Sequence, residues 1–107
     1  MALVEIRKLL PVGSVVLLTG AKRRLVIIGV RQTDNNTDTE YDYMGVLYPE
    51  GNMGEERYLF NDEDIAERVF IGYSDSERES FLEQLSRFYE NQDSLSQPMS
   101  VCFSVYK

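Results

Sequence analysis

The chain contains no histidine. That removes the usual general base near neutral pH and the commonest metal ligand. It also excludes every histidine-dependent catalytic triad. There is a single cysteine, Cys102. No internal disulfide can form, which suits a reducing compartment. A thiol nucleophile here would have no imidazole to activate it, so Cys102 reads as a small strand residue. No apolar run approaches the roughly 18 residues of a membrane span. The stretch Met1 to Leu10 interleaves charges with apolar positions and has no small-residue cleavage site, so no secretory signal is expected. Basic residues are scarce: 11 Lys and Arg stand against 18 Asp and Glu, a formal charge of -7. A negative surface repels phosphate backbones and anionic membranes, so neither a nucleic-acid nor a membrane partner is expected. A basic or hydrophobic protein partner is compatible with it. The glycines form no phosphate loop, because the Gly-rich Lys-Ser/Thr pattern is missing. They read as turns and bends.

What is present is an ordinary globular composition. The 107 residues are 43% hydrophobic, enough for one modest core. One domain over 1–107 is expected, with its core at about residues 9–90. The chain is organised around Glu40-Tyr-Asp-Tyr-Met-Gly-Val-Leu-Tyr-Pro-Glu-Gly51. Its tyrosines, its internal glycine and its proline–glycine stop read as the central strand of a small, bent antiparallel sheet.

Before that stretch, Ala2 to Leu10 fits a helical turn or a strand equally well, and Pro11 ends it. Ser14 to Thr19 is aliphatic and β-branched, a strand. Gly20 to Arg23 reads as a hairpin connection, and Arg24 to Arg31 as the second strand. The run Leu25 to Ile28 is apolar on both faces, and Gly29 within it predicts a bulge or sharp bend. Gln32 to Thr39 is a polar loop. In the next strand, Tyr41, Tyr43, Gly45 and Leu47 share one face; Asp42, Met44, Val46 and Tyr48 share the other.

After it, Arg57 to Phe60 is a fourth short strand. Asn61 caps a helical turn, Asp62 to Ala66, whose acids suit its positive end. Glu67 to Tyr73 is a fifth strand. Ser76 and Glu79 predict a capping box. Phe81, Leu82, Leu85, Phe88 and Tyr89 then form one apolar helical stripe. Residues 91–98 read as a Ser/Gln-rich linker. Met99, Val101, Phe103 and Val105 alternate as a tail strand over 99–107, which could close the sheet, pair with a second copy to give a homodimer, or add to a partner's sheet edge. The fold class is therefore α+β: about five antiparallel strands, strongly bent and barrel-like, with a packed C-terminal helix.

Candidate chemistry is thin. Asp62, Glu63 and Asp64 lack the spacing of a calcium loop and read as helix-start acids. Asp34, Asp38 and Glu40 read as a solvated loop. Lys22-Arg-Arg24, with Arg7 and Lys8, is the only basic concentration; it could grip a phosphate or an acidic partner segment, but a solvated hairpin tip is the default reading. Asp is disfavoured on strands, so Asp42 between two tyrosines points to a specific hydrogen bond. A catalytic acid at Asp42 would need a cleft and a second group facing it. Tyr41, Tyr43, Tyr48 and Tyr58 could stack single-stranded bases, but the net charge favours core and rim packing. No catalytic residue, cofactor or metal is expected. The residues best suited to meet a partner are Tyr41, Asp42, Tyr43, Tyr48, Tyr58 and Phe60.

Five blocks, Leu10 to Gly20, Leu25 to Gly29, Tyr41 to Gly51, Phe60-Asn61 with Ile65, and Val69 to Tyr73, together resemble a family of small Gram-positive proteins built on a domain of unknown function. The similarity covers about residues 9 to 90. The resemblance implies genomic company: LXG-type toxins of type VII secretion systems. It implies a cytoplasmic accessory protein or chaperone for such a toxin before export, with no catalytic residues to carry over. The expectation is a non-enzymatic protein-binding module. The alternative is a small ligand-binding domain or enzyme using Asp42 and the tyrosines in a cleft.

Overall fold

The computed structural model describes residues 3–54 and 56–95, the last five as backbone alone. The chain falls into two compact units that part between Tyr73 and Ser74. The first unit holds five strands: β1 (Val15–Leu18), β2 (Arg24–Asp34), β3 (Thr39–Leu47), β4 (Tyr58–Phe60) and β5 (Ile65–Phe70). They form one antiparallel sheet in the order β4-β3-β2-β1-β5. The second unit contains the helix α1 (Ser76–Leu95). The fold is α+β, a five-stranded antiparallel sheet and a C-terminal helix. Strand order corrects one expectation. β2 is the middle strand and the aromatic strand β3 lies beside it. β4 and β5 sit at opposite edges, so the ladder is open and not closed into a barrel.

The central strand owes its two-sided pattern to a bulge. Ile27 pairs with Gly45, and Gly29 pairs with Met44, leaving Ile28 as an extra residue. An extra residue flips the side-chain alternation. Leu25, Ile27 and Val30 are all buried, a spacing of two and then three. The bulge explains it. Val30 pairs with Tyr43, which pairs with Phe60, so all of these share one face. Val16 joins them opposite Leu25. Each such side chain buried contributes roughly 1.5–3 kcal/mol. Gly45 lets the Phe60 ring lie close: a Cβ there would stand 3.1 Å from that ring and 3.1 Å from the Val26 carbonyl oxygen.

Local elements differ from the sequence pattern in several places. β2 runs on through Gln32 to Asp34 and β3 starts at Thr39, so the expected polar loop shrinks to 35–38, and β5 ends at Phe70 instead of Tyr73. Of the two readings left open for the N-terminal stretch, the helical turn holds, as a 3₁₀ turn, Ile6–Lys8, between extended residues Glu5 and Leu9. Asp62–Asp64 is likewise a single 3₁₀ turn, and β5 begins directly after it at Ile65. Asp75, not Ser76, caps α1: its Oδ1 accepts the Arg78 amide at 3.1 Å. Ser76 is already the first helical residue, so Glu79 falls one place too late to close a box.

Within α1, Leu82 and Leu85 are buried and Phe81, Phe88 and Tyr89 half-buried, the expected stripe. The helix runs on to Leu95, so 91–95 is not a linker. The rest of that linker and the tail strand over 99–107 lie outside the described residues. Among the described residues, no helix is long and apolar enough to cross a membrane.

Candidate functional site

Asp42 is the centre of a buried polar node. Its side chain is fully enclosed. Oδ2 accepts the Asp62 amide at 2.9 Å, and both oxygens face the Val4 amide, at 3.1 and 3.3 Å. Its own amide donates to Asn61 Oδ1 at 2.9 Å. Arg31, also buried, brings Nε to 3.7 Å from Asp42 and donates from Nη2 to the Val4 carbonyl at 2.6 Å. The pair thus grips the N–H and the C=O of one residue in the N-terminal segment. Arg31 reaches this position with φ 51, the left-handed region. For a residue with a Cβ that geometry costs about 1–2 kcal/mol. Burial pushes the Asp42 carboxyl above the ordinary range, against the pull of the Asp62 and Val4 amides and of Arg31.

Tyr43 extends the node. Its hydroxyl accepts the Leu10 amide at 2.9 Å and donates to Asp62 Oδ1 at 3.0 Å. Burial comes first among the causes that push its phenol above the usual value. Asp62 also receives Arg68 Nη2 at 3.0 Å. These groups tie the N-terminal segment, β3, the 3₁₀ turn and β5 together. Asp42 has no solvent-exposed side-chain surface, and both of its oxygens are taken up by hydrogen bonds to the Val4 and Asp62 amides.

A different region is open. Residues paired directly across antiparallel strands share a face. Val46, Val26, Val15 and Phe70 make one such row; Arg24, Leu17 and Glu67 make the next. Tyr48 continues the second row, with its amide bonded to the Arg24 carbonyl at 3.0 Å. Val15, Arg24, Tyr48, Val69 and Phe70 line an open groove of about 530 Å³ on this unit. Its apolar walls are exposed: Tyr48 47%, Val69 41% and Phe70 58%, with Ile71 beyond the strand at 50%. β5 carries this surface at a sheet edge, where one side of its backbone has no neighbouring strand among the described residues.

Of the residues expected to meet a partner, Asp42, Tyr43 and Phe60 are buried and have no side-chain surface to offer. Tyr41 and Tyr58 are half-buried. Tyr58 donates to Glu56 at 3.0 Å, and that carboxylate raises its phenol. Tyr48 alone of the six lines the groove. The other lining residues drew attention as strand or hairpin positions, not as a surface. The available signal was Val69-Phe-Ile71, an unbroken apolar run that puts large side chains on both faces of a strand. Among the described residues, no three cysteine or carboxylate side chains converge as a cation site would require.

No curated protein and no solved structure is similar enough to the chain to stand as a relative. A family model does match. The matched residues, 9–81, span β1 to β5 and the start of α1, which is well over half of the chain. The protein therefore belongs to the family described as Domain of unknown function (DUF4176).

Proposed function

We propose that this protein is a non-enzymatic binding module that holds another protein against the β5 edge of its sheet. One observation carries the reading. Val69, Phe70 and Tyr48 are large apolar side chains exposed together around one groove. Contiguous exposed apolar surface beside a free strand edge is costly to leave in water and suits a partner chain. The one carboxylate that invited an enzymatic reading is spent on structural hydrogen bonds.

The partner we propose is an LXG-type toxin of a type VII secretion system, held in the cytoplasm of the producing cell before export. Support for that finer step is the family resemblance carried by the strand blocks between Leu10 and Tyr73. The test is co-expression of the chain with the toxin encoded beside it. The expected result is a complex that survives physiological salt with the wild-type chain. It should be lost with Phe70→Asp, a change on the exposed rim that leaves the melting curve intact. Absence of the toxin from the wild-type sample, or equal recovery with both proteins, would overturn the proposal.

A further inference from the structure

We infer that the groove takes an extended peptide segment carrying a carboxylate beside an apolar or aromatic side chain, with Arg24 as the anion anchor. This rests on the docking reading above and names the chemistry of what docks. The groove is not uniformly apolar. Arg24 lies between Tyr48 and Leu17 in a row across the sheet, with Val15 and Phe70 in the row beside it. It is exposed, and its guanidinium has no hydrogen bond or ion pair among the described residues.

Its neighbours along the chain behave otherwise. Arg23 donates to Glu50 at 2.6 Å and to the Tyr48 carbonyl at 3.0 Å. Arg31 and Arg68 are committed to Asp42 and Asp62. In a chain with 18 acids and 11 bases, an arginine left without a carboxylate inside an apolar groove is an unfilled valence. A guanidinium matches a carboxylate bidentately. Desolvation by the Tyr48 and Phe70 rings would strengthen that contact. The apolar walls supply a seat for the adjoining side chain, and the edge of β5, unpaired on one side among the described residues, supplies backbone partners for an extended segment.

A displayed library of random short peptides, selected on the full chain, tests this. The expected binders carry Asp or Glu within a few residues of Phe, Leu, Ile or Val. Both Arg24→Glu and Phe70→Asp should weaken them by about tenfold or more, the scale of one lost charge-assisted contact. Selection repeated on Arg24→Glu should turn the preference toward Lys or Arg. Binders that need Phe70 but show no acidic preference and tolerate Arg24→Glu would overturn the anchor and leave the docking reading standing. A selection with no binder sensitive to Phe70→Asp would overturn both.

Discussion

At Gly72 the backbone of one loop rests on another. A Cβ there would stand 2.6 Å from the Val12 carbonyl oxygen and 3.0 Å from the Ser14 amide nitrogen. Both are main-chain atoms, so no side-chain rotation relieves the clash. The Gly72 amide also donates to the buried Ser14 Oγ at 2.9 Å. Gly72→Ala is expected to cost about 1–3 kcal/mol, the usual range for forcing backbone apart in a packed region. Urea unfolding checks it, and an unchanged midpoint would show that the contact is loose.

Asp42 sets the opposite kind of constraint. Asp42→Ala would remove one of the two carboxylates that face the buried Arg31, leaving Glu40 at 3.8 Å, and strand the Asp62 amide, for about 3 kcal/mol. Its pH dependence has a definite sign. The folded-state value is raised by burial above the ordinary carboxylate value. Between those two values the folded chain holds a proton that the unfolded chain has released, so stability falls as pH rises across the window. Asp42→Asn cannot titrate and should lose that part of the slope. Parallel profiles for the two proteins would refute the assignment.

Strands are the elements that the sequence declares best here, and their order is what it hides. β-branched and aromatic runs bounded by Gly, Pro and Asn marked all five, and Gly29 marked the bulge in β2. Those signals are local: they report which residues suit an extended backbone, not which edge they reach. So Tyr43 and Phe60, read as partner-facing aromatics, are core, with ring centroids 5.5 Å apart. Val69 and Phe70, read only as strand, form an exposed surface on β5, an edge strand among the described residues. Asp42 was legible as an anomaly on a strand, but its partners Val4, Arg31 and Asp62 come from three other segments and left no spacing to read.

The bulge makes an element-scale prediction. Deleting Ile28 removes the extra residue and still leaves Val30 opposite Tyr43, so the chain should fold with a reduced melting temperature. Deleting Val26 instead moves a ladder residue and sends its neighbours to the wrong face. That variant should not give a cooperative transition. Equal behaviour of the two deletions, followed by circular dichroism, would mean that the register is not held by this pairing.

Across the whole molecule, charge works against compactness. A formal charge of -7 on 107 residues leaves a net self-repulsion. The ion pairs that oppose it are few among the described residues, and Arg23–Glu50 and Arg87–Glu83 are well exposed. Such exposed pairs contribute little to stability and are screened by salt. Repulsion is screened as well, with a range of about 10 Å at 0.1 M ionic strength. The acids exceed the bases, 18 against 11, so screening should remove more repulsion than attraction. Sodium chloride added at neutral pH is therefore expected to raise the thermal midpoint, and the gain should fade at acid pH as the carboxylates take up protons. The same field acts on any partner: it disfavours one that is acidic throughout and leaves room for a local carboxylate at Arg24 on a neutral or basic chain. A midpoint that falls with salt at neutral pH would show that the surface pairs outweigh the net charge, and it would remove this constraint on the partner.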